Sequence, residues 1–181
     1  MHPYEVAQTL RSRHKHESIR LNFGSLYGVV ASLEKRGLIE AIETVREGRR
    51  PERTIYRITE PGVIEMTDWL SELVAEPAKE YLGFEAALSL LPAVAPDEAL
   101  DLLRQRHEAL KVRLSRERAP REQAVESGVP RLFMLEGEYA ESLISAEIDF
   151  VARLIDDLES GSVTGIDFWR AWHEGGELPD F

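Results

Sequence analysis

Apolar side chains recur along this chain at two periods, and the change of period marks the elements. From Tyr4 to Arg13, Val6, Ala7 and Leu10 keep a helical spacing that stops in the polar run Ser12 to Ser18. Asn22 is a good N-cap, and after it Leu26, Val29, Val30 and Leu33 form one stripe of a helix over 23–36 that closes at Gly37. Residues 38–45 alternate in part and predict a strand, 46–53 form a polar turn containing Gly48 and Pro51, and 54–58 predict the returning strand. Thr59-Glu60-Pro61 opens a third helix, since proline is tolerated in a first turn. Its stripe of Val63, Met66, Leu70 and Leu73 predicts packing on the hairpin or a link between domains.

Pro77 marks a boundary, and 80–91 read as a helix closed by Pro92 and Pro96. Leu100, Leu103, His107, Leu110 and Leu114 follow a 3, 4, 3, 4 spacing, a coiled-coil seam that needs a partner. Residues 119–130, with Pro120, Gly128 and Pro130, predict a break, followed by a long helix over 131–158 that ends at Gly161. A short aromatic helix over 166–173 completes the pattern. The fold class is therefore mainly α (α+β): a winged helix-turn-helix over 1–75, a helical dimerisation domain over 76–165, and an aromatic tail over 166–181. Helix, turn, capped helix and hairpin in that order place one helix in a major groove and a hairpin tip on adjacent phosphates. The expected dimer contacts are Leu100, Leu103, His107, Leu110 and Leu114 with Leu143, Phe150 and Leu154, because these helices offer more apolar face than one copy can bury.

Charge changes the picture in one respect. The chain of 181 residues has a net charge of -11, which argues against DNA until its distribution is seen. Residues 1–74 hold 11 Lys or Arg and 11 Asp or Glu, so the whole excess of acid lies in the second half. Arg46, Arg49, Arg50, Arg53 and Arg57 face only Glu47 and Glu52 at the hairpin, a basic tip on a neutral domain. The absence of cysteine removes disulfides, thiolate metal sites and thiol nucleophiles. With no signal-peptide pattern at Met1-His2-Pro3-Tyr4-Glu5 and no apolar run of membrane-spanning length, the expected location is the cytoplasm, away from membranes.

His2-Pro3-Tyr4-Glu5-Val6 resembles the His-Gly-Tyr-Glu-Ile opening of PadR-type transcription regulators. Gly24-Ser25-Leu26-Tyr27 and the later Leu33-Glu34-Lys35-Arg36-Gly37-Leu38-Ile39 are similar to the family's recognition-helix pattern, and Arg57-Ile58-Thr59-Glu60-Pro61-Gly62 resembles the close of its wing. The resemblance covers residues 2 to about 74, and less distinctively 82–160, through Ala87-Leu88-Ser89-Leu90-Leu91 and Phe133-Met134-Leu135-Glu136. It implies contact with double-stranded DNA by a homodimer, with Ser25 and Tyr27 where the family contacts DNA; Tyr4, Asn22, Lys35 and Arg36, with Arg49, Arg50 and Arg53 of the basic tip, complete the expected interface. Several of these have a second reading: Asn22 as a helix cap, Tyr27 as packing against the hairpin, Lys35 and Arg36 as cations on a helix C-terminus. The family pattern also includes an apolar helix before the first motif. Its lack leads to the expectation that Val6, Leu10, Leu26 and Val30 are open unless an upstream helix, the second domain or a partner covers them.

Enzyme chemistry finds no support. Gly24-Ser25-Leu26-Tyr27-Gly28 places its serine beside the first glycine and is not a nucleophile elbow. His14 and His16 flank a lysine without a patterned carboxylate, so no metal site is expected, and no phosphate loop or dinucleotide fingerprint occurs. The carboxylates Glu136, Glu138 and Glu141 read as a helix surface. His107 reads as a structural residue of the seam that could also sense pH. Trp69, Trp169 and Trp172 read as core or lid packing, or as a flat site for an aromatic ligand. No cofactor is expected, and any small-molecule effector is left without an identity. The function predicted is sequence-specific DNA binding by a dimeric repressor on a palindromic promoter site; the alternative is a winged-helix protein-interaction module without DNA binding. Salt separates the two, because binding through several arginines weakens steeply as salt rises. If Arg49 and Arg50 hold phosphates, changing both to Ala weakens all sequences alike and flattens the salt slope by about 2; an unchanged slope rejects the wing's role.

Overall fold

The computed structural model of the chain describes residues 1–12, 15, 23–45 and 53–175, except the side chains of Phe23 and Val45. The chain divides into two compact units, 1–80 and 81–181.

The first unit begins with helix α1, Pro3–Ser12. His2 and Glu5 start it: the Glu5 carboxylate accepts from the His2 N–H at 3.0 Å, and His2 Nδ1 accepts from the Tyr4 N–H at 3.1 Å. Two otherwise unpaired donors of the first turn are thereby satisfied, and Pro3 sits where no N–H is needed. Helix α2, Phe23–Lys35, ends as its glycine predicts. Gly37 takes φ +72°, its N–H donates to Glu34 O at 2.9 Å, and the Leu38 N–H donates to Leu33 O at 3.0 Å. Strands β1, Ile39–Val45, and β2, Arg53–Ile58, pair antiparallel with Ile39 opposite Ile58 and an irregularity between Ala41 and Glu43. The backbone of Met1 exchanges hydrogen bonds with Tyr56 at 2.8 and 3.2 Å along β2.

Helix α3, Glu60–Ala75, is fixed to the hairpin through Thr59. The Thr59 N–H donates to Leu38 O at 3.0 Å, its hydroxyl donates to Gly37 O at 2.7 Å, and the same hydroxyl accepts from the Gly62 N–H at 3.1 Å. Gly62 is buried because any side chain would collide: a Cβ there would lie 2.0 Å from Leu38 O and 2.8 Å from Ile58 Cγ1. The stripe expected to pack on the hairpin or to link the domains does not pack on the hairpin along its length, as Val63, Met66, Leu70 and Leu73 are all exposed. Pro3 and Ala7 are buried in this unit, with Val6, Leu10, Leu26 and Val30 half-buried. Those four, expected open in the absence of another helix, are therefore covered in part.

The second unit contains α4 (Gly83–Ser89), a 3-10 turn at Leu91–Ala93, α5 (Pro96–Glu126), a 3-10 turn at Arg131–Phe133, α6 (Leu135–Ser160) and α7 (Ile166–His173). The expected break at 119–130 starts later, because α5 runs through Pro120 to Glu126. A proline removes one helical hydrogen bond. Here Arg118 and Arg121, either side of it, both reach Glu141 on α6 and hold this stretch in place. The helix stops at Gly128, with φ +73° and the Val129 N–H on Ala124 O at 2.9 Å. Ala99, Leu103 and Leu110 of α5 meet Ile144, Val151 and Leu158 of α6 in one buried cluster. Within the protomer the Leu100–Leu114 seam is met by α6 of the same chain, and Leu103 and Leu110 are core residues there.

Residues 166–175, expected to belong to a separate tail, pack into this unit. Ile166 and Trp169 are buried, and Trp169 Nε1 donates to Pro92 O at 3.1 Å and Val94 O at 2.9 Å. Trp169 is a clamp on the turn before α5, which settles its role as packing. Among the described residues no helix is long and apolar enough to cross a membrane, and no three His, Cys, Asp or Glu side chains converge as for a metal.

If the Thr59 junction sets the first unit, Gly62→Ala should cost roughly 1–3 kcal/mol through overpacking, and Thr59→Val about 0.5–2 kcal/mol through the lost cap. Thermal unfolding of both variants checks this; wild-type midpoints would show that the junction is dispensable.

Candidate nucleic-acid interface

Helix α2 presents two different faces. Leu26, Val30 and Leu33 turn inwards and are half-buried, while Ser25, Tyr27, Gly28, Val29, Ala31, Ser32 and Lys35 are exposed. Tyr27 is 57% exposed, so of its two readings the one as packing against the hairpin is not what the side chain does. The tyrosine that does pack between helix and hairpin is Tyr56, whose hydroxyl donates to Glu34 at 3.4 Å; burial, then the Glu34 carboxylate, raises its pKa. Ser25 lies in the first turn of α2, where amides and a hydroxyl can together meet an anion. Tyr4 is exposed on α1, about 100° around the axis from the buried Pro3 and about 60° from the buried Ala7.

The basic groups are more engaged than their number suggests. Arg36 forms an ion pair with Glu65 of α3, and Arg57 pairs with Glu40 across the hairpin at 2.6 and 3.1 Å. Glu40 opposes Arg57 in register, so that pair is a product of the strand alignment. Neither acid belonged to the local charge count at the tip, and neither pairing could be read from one segment. Lys35 is exposed in the last turn of α2, and Arg53 is exposed at the start of β2. Asn22, Arg49 and Arg50 lie outside the described residues. What the described residues bring together is a capped helix with an open polar and small-residue face, joined at its C-terminal end to the base of an arginine-bearing hairpin. Such a surface can dock in a groove and touch phosphates; it contains no general acid, base and nucleophile set for catalysis.

Residues 1–68 match the model of the transcriptional regulator PadR-like family. The chain carries a PadR-like winged helix. The match lies within the first unit and covers just over a third of the chain. No curated protein matches it in sequence. Among solved structures it is similar to Bacillus subtilis PadR in complex with operator DNA, with a TM-score of 0.73, 18% identity, and coverage of 87% of this chain and 91% of that one. The p-coumaric acid complex of the same protein gives 0.71, 16%, 88% and 90%, and a PadR-like regulator from Bacillus cereus gives 0.59, 15%, 89% and 91%. At these identities the likeness is one of fold, and it reaches into both units.

Glu65 holds the cation of Arg36 just beyond the end of α2. Glu65→Gln should tighten binding to any duplex and steepen the salt slope by up to about 1, as one further cation becomes available to a phosphate. Arg36→Ala added to Glu65→Gln should cancel the gain; a gain that survives it would assign the effect elsewhere.

Proposed function

We propose that the protein is a dimeric, sequence-specific DNA-binding repressor, with α2 of each copy in a major groove and the hairpin tips on flanking phosphates of a two-fold site. The observation that carries this is the open face of a capped α2 beside an arginine-rich hairpin in a PadR-like domain. The operator-DNA complex of a neighbour with the same fold supports it. That neighbour's p-coumaric acid complex supports a small-molecule effector as part of the reading, which places the protein in the cytoplasm with its DNA.

The homodimer is argued from α6, which is apolar on two faces whose centres lie about 115° apart around its axis. Ile144, Val151 and Leu158 face α5 and are buried, whereas Leu135, Tyr139, Leu143 and Phe150, spaced to share the other face, are 43–67% exposed. A helix apolar on both faces calls for a cover on each, and a second copy would bury the outer stripe against itself. Of the expected dimer contacts, Leu143 and Phe150 lie on this outer stripe. Leu100, Leu114 and Leu154 are half-buried against the protomer's own core, and His107 is also half-buried.

Two measurements test the reading. DNA selected from a random pool by the full chain should yield a two-fold sequence whose binding falls steeply with salt; selection of nothing, or salt-independent binding, would overturn it. Sedimentation should give about twice the chain's mass at micromolar concentration. Tyr139→Glu with Leu143→Glu, outside the α5–α6 core, should give a folded monomer that loses the two-fold site. A dimer that survives this pair would place the interface elsewhere.

A further inference from the structure

Resting on the reading just given, that α2 enters the major groove, the composition of its exposed face bears on how it recognises sequence. Base edges are distinguished there by two-pronged hydrogen bonds, Arg or Lys to guanine and Asn or Gln to adenine, or by apolar contact with the thymine methyl. Helix α2 from Phe23 to Lys35 contains no Arg, Asn or Gln, and its one Lys is the final residue. Recognition helices read with their N-terminal residues, and Lys35 stands about 12 Å further along the axis than Tyr27. Arg36, beyond it, is paired with Glu65. The first three turns therefore offer the groove no side chain able to read guanine in two-pronged fashion.

What they do offer is apolar surface at short range. Tyr27 is 57% and Val29 51% exposed, Ala31 is exposed, and among the described residues the Tyr27 hydroxyl has no hydrogen-bond partner. Between them Gly28 sits mid-helix without a positive φ, and a Cβ built on it meets nothing within 4 Å. Glycine inside a helix is unfavourable relative to alanine, and here neither a turn nor internal packing offsets that. A close neighbour outside the chain does account for it, as the helix backbone at Gly28 can approach a groove floor more nearly than any other residue would allow.

We infer that this regulator reads its operator half-site through thymine methyl groups at A·T pairs, with Tyr27 as the specificity-determining contact and Gly28 permitting the close approach, and not through guanine hydrogen bonding. The reading predicts that the contacted steps of the half-site are A·T pairs at which the C5-methyl group, rather than a hydrogen bond, carries discrimination.

The test uses the full chain and the duplex it selects, at fixed salt. Replacing thymine by uracil removes only the methyl group, and replacing guanine by 7-deazaguanine removes only the N7 acceptor. At one or more positions in each half-site uracil should weaken binding about fourfold, the effect of one buried methyl-sized group, whereas 7-deazaguanine should leave affinity within twofold. Tyr27→Ala should abolish the uracil effect and Tyr27→Phe should retain it. Gly28→Ala should unfold at the same or a higher temperature, since its Cβ meets open space, and yet bind the operator more weakly. Loss of affinity with 7-deazaguanine but not uracil, a uracil effect that persists in Tyr27→Ala, or wild-type affinity in Gly28→Ala each overturns the inference while leaving DNA binding intact. Failure to select any duplex refutes the DNA-binding reading itself, and this one with it.

Discussion

The candidate interface depends on one close approach, that of the α3 backbone at Gly62 to the carbonyl of Leu38. Only the lack of a side chain at Gly62 permits it, because a Cβ would lie 2.0 Å from that oxygen. The same oxygen accepts the Thr59 N–H, and the Thr59 hydroxyl bridges Gly37 O to the Gly62 N–H. Three element ends thus meet in a few residues: the left-handed turn after α2, the end of β2, and the first turn of α3. Because buried backbone groups must be paired, the junction admits little freedom in the angle between helix and hairpin. That angle decides whether a helix in a groove and a hairpin tip on a phosphate can be satisfied together. The carboxylate pairs around it, Arg36 with Glu65 and Arg57 with Glu40, are exposed and contribute little stability on their own. Their larger effect is to set how many cations are left for an external anion.

The second unit uses an ion pair on a buried carboxylate where the first uses a close approach. Glu141 is 8% exposed on the core side of α6, and Arg121 meets it with both a Nε and a guanidinium-arm hydrogen bond, the latter at 3.1 Å. Arg118 adds a contact at 3.5 Å. A pair of this kind is no large source of stability compared with an apolar one, but a shift of α5 along α6 would strand a desolvated carboxylate. The apolar seam alone would tolerate such a slip, since leucines repeat along it. Further along, Arg106 stacks 3.7 Å over the Phe84 ring while its guanidinium is held by Glu147, which fixes α4 to the same register.

What could be read from the sequence was what nearby residues decide. Gly37 and Gly161 mark helix ends because a left-handed C-cap is a local event, and the hairpin followed from two short strands about a polar turn. Pro120 was misread as a break because its local cost is outweighed by arginines whose partner, Glu141, lies 20 residues away. The Leu100 to Leu114 spacing identified a seam but not whose helix fills it, since periodicity records that a face is apolar and not which chain covers it. For the interface, the exposed position of Tyr27 was undecidable from spacing, as the hairpin tyrosine that packs on α2 turned out to be Tyr56. The reduction of the basic surplus by Glu40 and Glu65 needed the strand register and the α2–α3 crossing, neither of which is written in one segment.

The distribution of charge bears on how such a protein finds one site among many. Non-specific affinity for DNA grows with the number of phosphates neutralised. A DNA-binding half of zero net charge, with two of its arginines already paired, has little of it, and an acidic second half of -11 adds repulsion at distances up to the screening length of about 8–10 Å. Weak background binding lowers the competition from random sequence, so modest contacts at α2 suffice for a useful ratio between site and non-site. On the two-fold reading proposed above, each half-site contact would be counted twice, and a difference that is only fourfold in one half would become about sixteenfold in two. In a protein so arranged, small uncharged contacts held at a fixed angle accomplish what a strongly basic surface would obscure.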